Sequence, residues 1–140
     1  MQAVVTLKHF DANSLEGSWG NDGKITRHTV DANISMYDLF ETYLPAFRDS
    51  VVYGKAAGVM CSYNAVNGVP ACASKFLIQD VLRGLWNFDG YVTSDSGAVK
   101  DIYESHHYTS NWNDTIKVAL EAGCDMESAS WYVTFSLFCV

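Results

Sequence analysis

Close-spaced cysteine pairs are missing from this chain: Cys61, Cys72, Cys124 and Cys139 stand far apart, so the spacing of a zinc cluster is absent and no metal is expected. Basic residues are scarce, 9 Lys and Arg against 16 Asp and Glu, for a net charge of -7. An acidic chain without a basic stripe repels phosphate backbones and anionic lipid surfaces, which argues against nucleic acid and membrane partners. No apolar run reaches the roughly 20 residues that span a bilayer; the uncharged stretch Ser128–Val140 is too short. The segment Met1–Leu7 runs straight into Lys8 without a charged n-region or a long apolar core, so no signal peptide is expected in this chain. Only 2 prolines occur, and neither an internal repeat nor a low-complexity linker is present.

What is abundant is apolar and aromatic: 49% of the 140 residues are hydrophobic and 14% aromatic, enough for one packed domain. The aromatics suit sugar stacking and core packing alike. Four short, near-continuous apolar runs read as buried parallel strands, namely Ala3–Leu7, Ala57–Cys61, Gly90–Thr93 and Gly123–Met126. Three helical patterns lie between them. The first opens at Ser35 with Asp38 three residues on, and continues through Met36, Leu39, Phe40, Tyr43, Phe47 and Val51, with Pro45 expected to kink it or shift its start. The second covers about Ser74 to Leu85, with Leu77, Ile78, Val81, Leu82 and Leu85 as its stripe. The third runs from Asn113 to Ala122 and stops at Gly123. About four strands alternating with three helices predict an α/β chain built on a parallel sheet.

In such sheets the chemistry gathers beyond the C-terminal strand ends. That rule selects Lys8, His9 and Phe10 after the first strand, Ser62, Tyr63 and Asn64 after the second, and Ser94, Asp95, Ser96 and Gly97 after the third. Asp95 could equally be a helix N-cap, Lys8-His9 a surface pair, and Tyr63 a core tyrosine. The long stretch Asp11–Asn33, carrying Trp19, is the length at which loops tend to be functional. Trp19 could be a stacking platform or a plug beneath that stretch. His106-His107 is better read as packing histidines than as a metal pair, because adjacent side chains diverge. Asp125 and Glu127 flank the last run and are favoured as structural. Cys61 and Cys72 bracket a turn-rich loop; a disulfide across it is favoured over two buried thiols. Asn33-Ile34-Ser35 and Asn113-Asp114-Thr115 are acceptor sequons, which fits secretion, with Asn33 and Asn113 as glycosylation candidates.

Three motifs then combine. Leu7-Lys8-His9-Phe10, Met60-Cys61-Ser62-Tyr63-Asn64-Ala65-Val66-Asn67-Gly68-Val69-Pro70 and Val92-Thr93-Ser94-Asp95-Ser96-Gly97-Ala98, with Leu82–Tyr91 as a helix-to-strand passage, resemble glycoside hydrolase family 3 from about Val4 to Asp125. The resemblance implies part of a (β/α)8 TIM barrel over residues 1–127, followed by a divergent apolar tail, 128–140. It implies Asp95 as catalytic nucleophile, Lys8, His9 and Tyr63 as sugar-binding residues, no cofactor, and a sugar-binding arginine and an acid/base glutamate that belong to parts of the family pattern outside this chain. Ser96 stands where glucoside-cleaving members usually carry Trp. With the Cys61…Cys72 bracket and Asp11-Ala12-Asn13-Ser14, that resembles the β-xylosidase and α-L-arabinofuranosidase branch. The implied activity is retaining release of terminal xylose from xylo-oligosaccharides by a secreted enzyme. The alternatives are a β-glucosidase of the same family and a non-catalytic sugar-binding remnant, and the isolated chain is expected to be inactive.

Overall fold

A computed structural model describes residues 3–20 and 22–129, the side chain of Trp19 excepted. The sequence expectations for the tail, and Cys139 with them, fall from residue 130 on outside the described residues. Strands β1 (Thr6–Phe10), β5 (Gly58–Cys61) and β8 (Tyr91–Ser94) form one parallel sheet in the order β1-β5-β8. β1 and β8 are displaced towards the C-terminus relative to the apolar runs that announced them, whereas β5 ends at Cys61 as its run does. Burial peaks at Val59, Cys61 and Val92, which are fully enclosed, whereas Val4 and Val5 at the head of the first run are exposed. The fourth run, Gly123–Met126, contributes one parallel bridge, Thr93 to Met126, rather than a strand. Asp125 explains why: its Oδ2 accepts the Val92 N–H at 2.7 Å and an Arg83 Nη2 bond at 2.9 Å, so a side chain takes a donor that a fourth strand's carbonyl would take.

The register places three strand ends level. Phe10 pairs with Cys61 across a bulge between Leu7 and Phe10, and Cys61 pairs with Ser94. Residues 11, 62–64 and 95–97 therefore leave the sheet along one edge, next to the bulged end of β1 that carries Lys8 and His9. Beneath it, Phe10 packs edge-on against Phe47 and Trp86, with ring centroids 5.0 and 6.0 Å apart.

The expected long first helix is three pieces. Ser35 caps α1 (Met36–Asp38), accepting the Asp38 N–H at 3.0 Å and donating its hydroxyl to Asp38 Oδ2 at 2.7 Å. A wide π-type turn, Leu39–Tyr43, follows, and α2 (Pro45–Val52) then starts on proline. The Leu44 N–H reaches back to Leu39 O, so Pro45, which has no N–H, enters at a first helical position where none is required. Widening the turn rotates the stripe; Leu39 and Val51 stay buried, whereas Met36 and Phe40 face solvent. The Phe76–Leu85 helix is also wound in π fashion, burying Leu77, Ile78, Val81 and Leu82 but leaving Leu85 exposed. Between β8 and the last helix lies α3 (Ala98–Glu104), which the apolar pattern did not announce. Finally α4 (Trp112–Ala122) is capped by Asn111 and ends at Gly123, whose φ of 98° only glycine adopts freely.

The stretch 11–33 is folded. Two short strands, β2 (Ser18–Trp19) and β3 (Ile25–Thr26), make a hairpin, and β4 (Asp31–Ala32) pairs in parallel with β6 (Ala65–Val66), itself antiparallel to β7 (Val69–Pro70). This small second sheet lays residues 26–32 across the chain that follows β5. No helix among the described residues is long and apolar enough to cross a membrane.

Candidate functional site

Asp95 is the first residue beyond β8. Its N–H donates to Cys61 O at 3.0 Å, tying it to the centre of the sheet, and its carbonyl accepts the Ala98 N–H at 2.9 Å. One carboxylate oxygen accepts the Ser96 N–H at 2.8 Å; the other lies 3.3 Å from His9 Nε2. The Asp95 side chain is 15% exposed and that of His9 24%, so the pair sits at a surface that a solute can reach. Among the described residues, the side chain that approaches this second Asp95 carboxylate oxygen is His9 rather than Lys8. Lys8 is exposed and lines an adjoining groove with His9, Asp11, Asn13 and Tyr43.

The Ser62-Tyr63-Asn64 run divides its work by the alternation of extended backbone. Ser62 Oγ and Asn64 Nδ2 both donate to Asp11 O, each at 3.1 Å, locking the chain after β1 to the chain after β5. Tyr63 faces the other way and donates its hydroxyl to Ser96 O at 3.0 Å. Burial, then the nearby Asp95 charge, pushes the Tyr63 phenol up to about 12, so it remains a donor throughout the physiological range. Above its ring sit the Arg27 guanidinium, 5.0 Å from the centroid, and the His28 imidazole at 4.3 Å.

Those two residues were not singled out in the sequence. Arg27 Nε donates to His28 Nε2 at 3.2 Å, which leaves His28 Nδ1 as the donor to Asp101 Oδ2 at 2.6 Å. Ser105 Oγ donates to the other Asp101 oxygen at 2.6 Å, and Arg27 Nη1 pairs with Glu16 Oε1 at 2.7 Å. The one available signal was the length of the 11–33 stretch. The contact partners are too distant in the chain for spacing to reveal them.

His106 Nε2 bonds to Tyr63 O at 2.7 Å and His107 Nδ1 to Tyr103 O at 3.1 Å, so each histidine holds backbone. Among the described residues no group of three or more His, Cys, Asp or Glu side chains could hold a metal ion. Cys61 and Cys72 are joined by a disulfide behind the site. Cys124 is free and buried, its sulfur 4.0 Å from that of Cys61. Asn33 and Asn113 are both exposed, one after β4 and one in the first turn of α4. Asp11 Oδ2, Asn13 Oδ1 and Asn64 Oδ1 are buried oxygens without hydrogen-bond partners among the described residues. Burial raises the Asp11 carboxyl to about 6.

The arrangement presents one carboxylate at the end of a parallel strand, flanked by an imidazole, a phenol and a nearby ammonium. It can offer a nucleophilic oxygen and several donors to a polyhydroxylated ring.

Comparison with known proteins gives the same outline. The family model described as "Glycosyl hydrolase family 3 N terminal domain" matches residues 1–134. An exo-1,4-beta-xylosidase of Emericella nidulans is 42% identical over 137 residues, which is 96% of this chain and 17% of that protein. A probable beta-D-xylosidase of Arabidopsis thaliana is 41% identical over 131 residues, covering 94% and 17%. Among solved structures, a GH3 exo-beta-xylosidase in complex with a xylobiose aziridine probe superposes with a TM-score of 0.85 at 36% identity, covering 96% of this chain and 18% of that one. A β-glucosidase from Erythrobacter marinus gives 0.82 at 30% identity, covering 96% and 17%. The chain thus spans about a sixth of the length of these relatives.

Proposed function

Because the chain belongs to glycosyl hydrolase family 3, within its N-terminal domain, we propose that it supplies the nucleophile and part of the sugar-binding surface of a retaining exo-1,4-β-xylosidase. The observation that carries this reading is the placement of the Asp95 carboxylate at the level strand ends, 3.3 Å from His9 and beside Tyr63.

In this mechanism an Asp95 oxygen attacks the anomeric carbon of a terminal xylose. The bond to the leaving oxygen breaks as a second carboxylic acid, roughly 5 Å away in retaining enzymes, protonates it. Water then cleaves the resulting glycosyl ester and returns Asp95 as a carboxylate. Lys8 and His9 donate to sugar hydroxyls, and Tyr63 holds the Ser96 carbonyl beside the nucleophile. Two described carboxylates nearby are otherwise engaged. Asp101 accepts from His28 and Ser105, and Glu127 accepts backbone N–H groups. Neither is offered as the proton donor, and the 140 residues alone are proposed to hydrolyse nothing.

The finer assignments belong to the same proposal. Residues 1–127 constitute the barrel portion. The enzyme is secreted and takes glycans at Asn33 and Asn113, a reading supported by the Cys61–Cys72 disulfide and by the exposure of both asparagines. Its substrates are xylo-oligosaccharides from xylan, with α-L-arabinofuranosides as a second class. A β-glucosidase reading has its own support, since glucosidases superpose nearly as well as the xylosidase. On the protein at its full natural length, nitrophenyl β-xyloside should be hydrolysed faster than the glucoside, and Asp95→Asn should lower turnover by on the order of 10³-fold or more. Faster glucoside turnover would remove the xylosidase assignment. An active Asp95→Asn would remove the nucleophile.

A further inference from the structure

The loop that carries Asp95 is gripped from outside its own element. Helix α3 begins after Gly97, which sits at the N-cap position with a φ of 86° and makes no side-chain cap. A glycine there cannot accept the first N–H groups of the helix, which an Asp or Ser would. The missing acceptor comes from about thirty residues further on. Glu127 Oε1 accepts the Gly97 N–H at 2.9 Å and Oε2 accepts the Val99 N–H at 3.2 Å. Its neighbours close the grip. Met126 O accepts the Ser94 N–H at 2.8 Å, Ser128 N donates to Ser94 Oγ at 3.3 Å, and the Ser96 and Ser128 hydroxyls meet at 3.1 Å. Ala129 N donates to Glu127 Oε1 at 3.2 Å, which fixes the carboxylate in turn.

Resting on the reading of Asp95 as nucleophile, we propose that Glu127 is a positioning residue. Its two carboxylate oxygens clamp the Gly97 and Val99 amides and so set the height and tilt of the Asp95 carboxylate at the strand ends. Asp95 is held on one side by the sheet, through Cys61 O, and on the other by the Ala98 N–H, whose flanking residues are the clamped ones. A carboxylate is suited to this, because charge-assisted bonds to two amides fix orientation as well as distance. In this role Glu127 need touch neither substrate nor reacting atoms. Its effect passes through the loop.

The test has two readings. In the 140-residue chain, amide hydrogen exchange is followed in wild type, Glu127→Ala and Glu127→Gln. Glu127→Ala should speed exchange at Gly97 and Val99 by about ten- to a hundredfold while the β5 amides of Val59 and Met60 keep their rates. Glu127→Gln retains a single acceptor and should release one of the two amides and spare the other. Unchanged exchange at both amides in Glu127→Ala overturns the clamp. In the protein at its full natural length, Glu127→Ala should lower kcat for a nitrophenyl xyloside by about 10²-fold with KM within about threefold, as expected for a displaced reacting group. A raised KM with kcat retained overturns the positioning role. The Asp95 reading fails separately, by an active Asp95→Asn protein, even where the exchange results stand.

Discussion

Two buried titratable groups near the site differ in what their burial does. Burial lifts the Cys124 thiol to about 12, so at pH 8 only about one molecule in 10⁴ is thiolate. Despite a sulfur 4.0 Å from Cys61, Cys124 should therefore be inert to exchange with the disulfide. Iodoacetamide should leave it unmodified in the folded chain and alkylate it in urea; rapid labelling without denaturant would show the thiol is accessible. Asp11 is the opposite case, an acid whose folded value of about 6 exceeds its ordinary 3.8. The folded chain binds that proton more tightly than the unfolded one does. The contribution is fully present below about pH 4 and is lost as pH rises through about 6. Above that, the buried charge costs about 3 kcal/mol. Urea unfolding should accordingly show Asp11→Asn gaining stability on wild type by about that amount between pH 4 and pH 7. A constant difference across that range would mean Asp11 finds a partner. His9, Tyr63 and Asp95, which the structure brings together at one edge, each stood inside a contiguous motif and so could be picked out from the sequence. Arg27, His28 and Asp101 were invisible because each depends on a neighbour reached only through folding.

Among elements, the helices show where pattern reading stops. The start of α1 at Ser35 and the stop of α4 at Gly123 follow from capping chemistry, which is local, and both were readable. The wide turns at Leu39–Tyr43 and Phe76–Leu85 were not, because a period of 3.6 was assumed throughout. That assumption placed Met36, Phe40 and Leu85 inside when they lie outside. Helix α3 escaped for another reason. Its first turn is capped by a residue from beyond the next helix, so no local signal marks its start. The strongest covalent constraint at this scale is the Cys61–Cys72 bond, which closes a loop with a sequence separation of 11. Reduction should cost about 3 kcal/mol of stability, a loss that a urea midpoint in the presence and absence of dithiothreitol would measure. An unchanged midpoint would mean the loop is held by its packing instead.

For the molecule as a whole, the sheet is three strands wide among the described residues, and β1 is its flank there. Val4 and Val5, immediately before β1, are 60% and 56% exposed. An apolar edge of this kind invites pairing with another chain. The 140-residue chain should therefore associate with rising concentration in sedimentation experiments, and Val5→Lys should shift it towards monomer; a monomeric wild type at high concentration would refute this. The same scale sets the bounds on function, since the chain covers about a sixth of its relatives.

By itself the sequence determined the alternation of strand and helix, the family, and the three short motifs that meet at one edge. Each of these is written in hydrophobic period or contiguous residue type, and both survive without coordinates. Only the tertiary structure decided which side chain reaches Asp95, that the fourth run makes a single bridge while the Asp125 side chain takes the Val92 N–H, and that Glu127 caps the helix after Asp95. Those are contacts between residues tens of positions apart, and their partners are chosen by the level ends of a parallel sheet, whose register no linear spacing encodes.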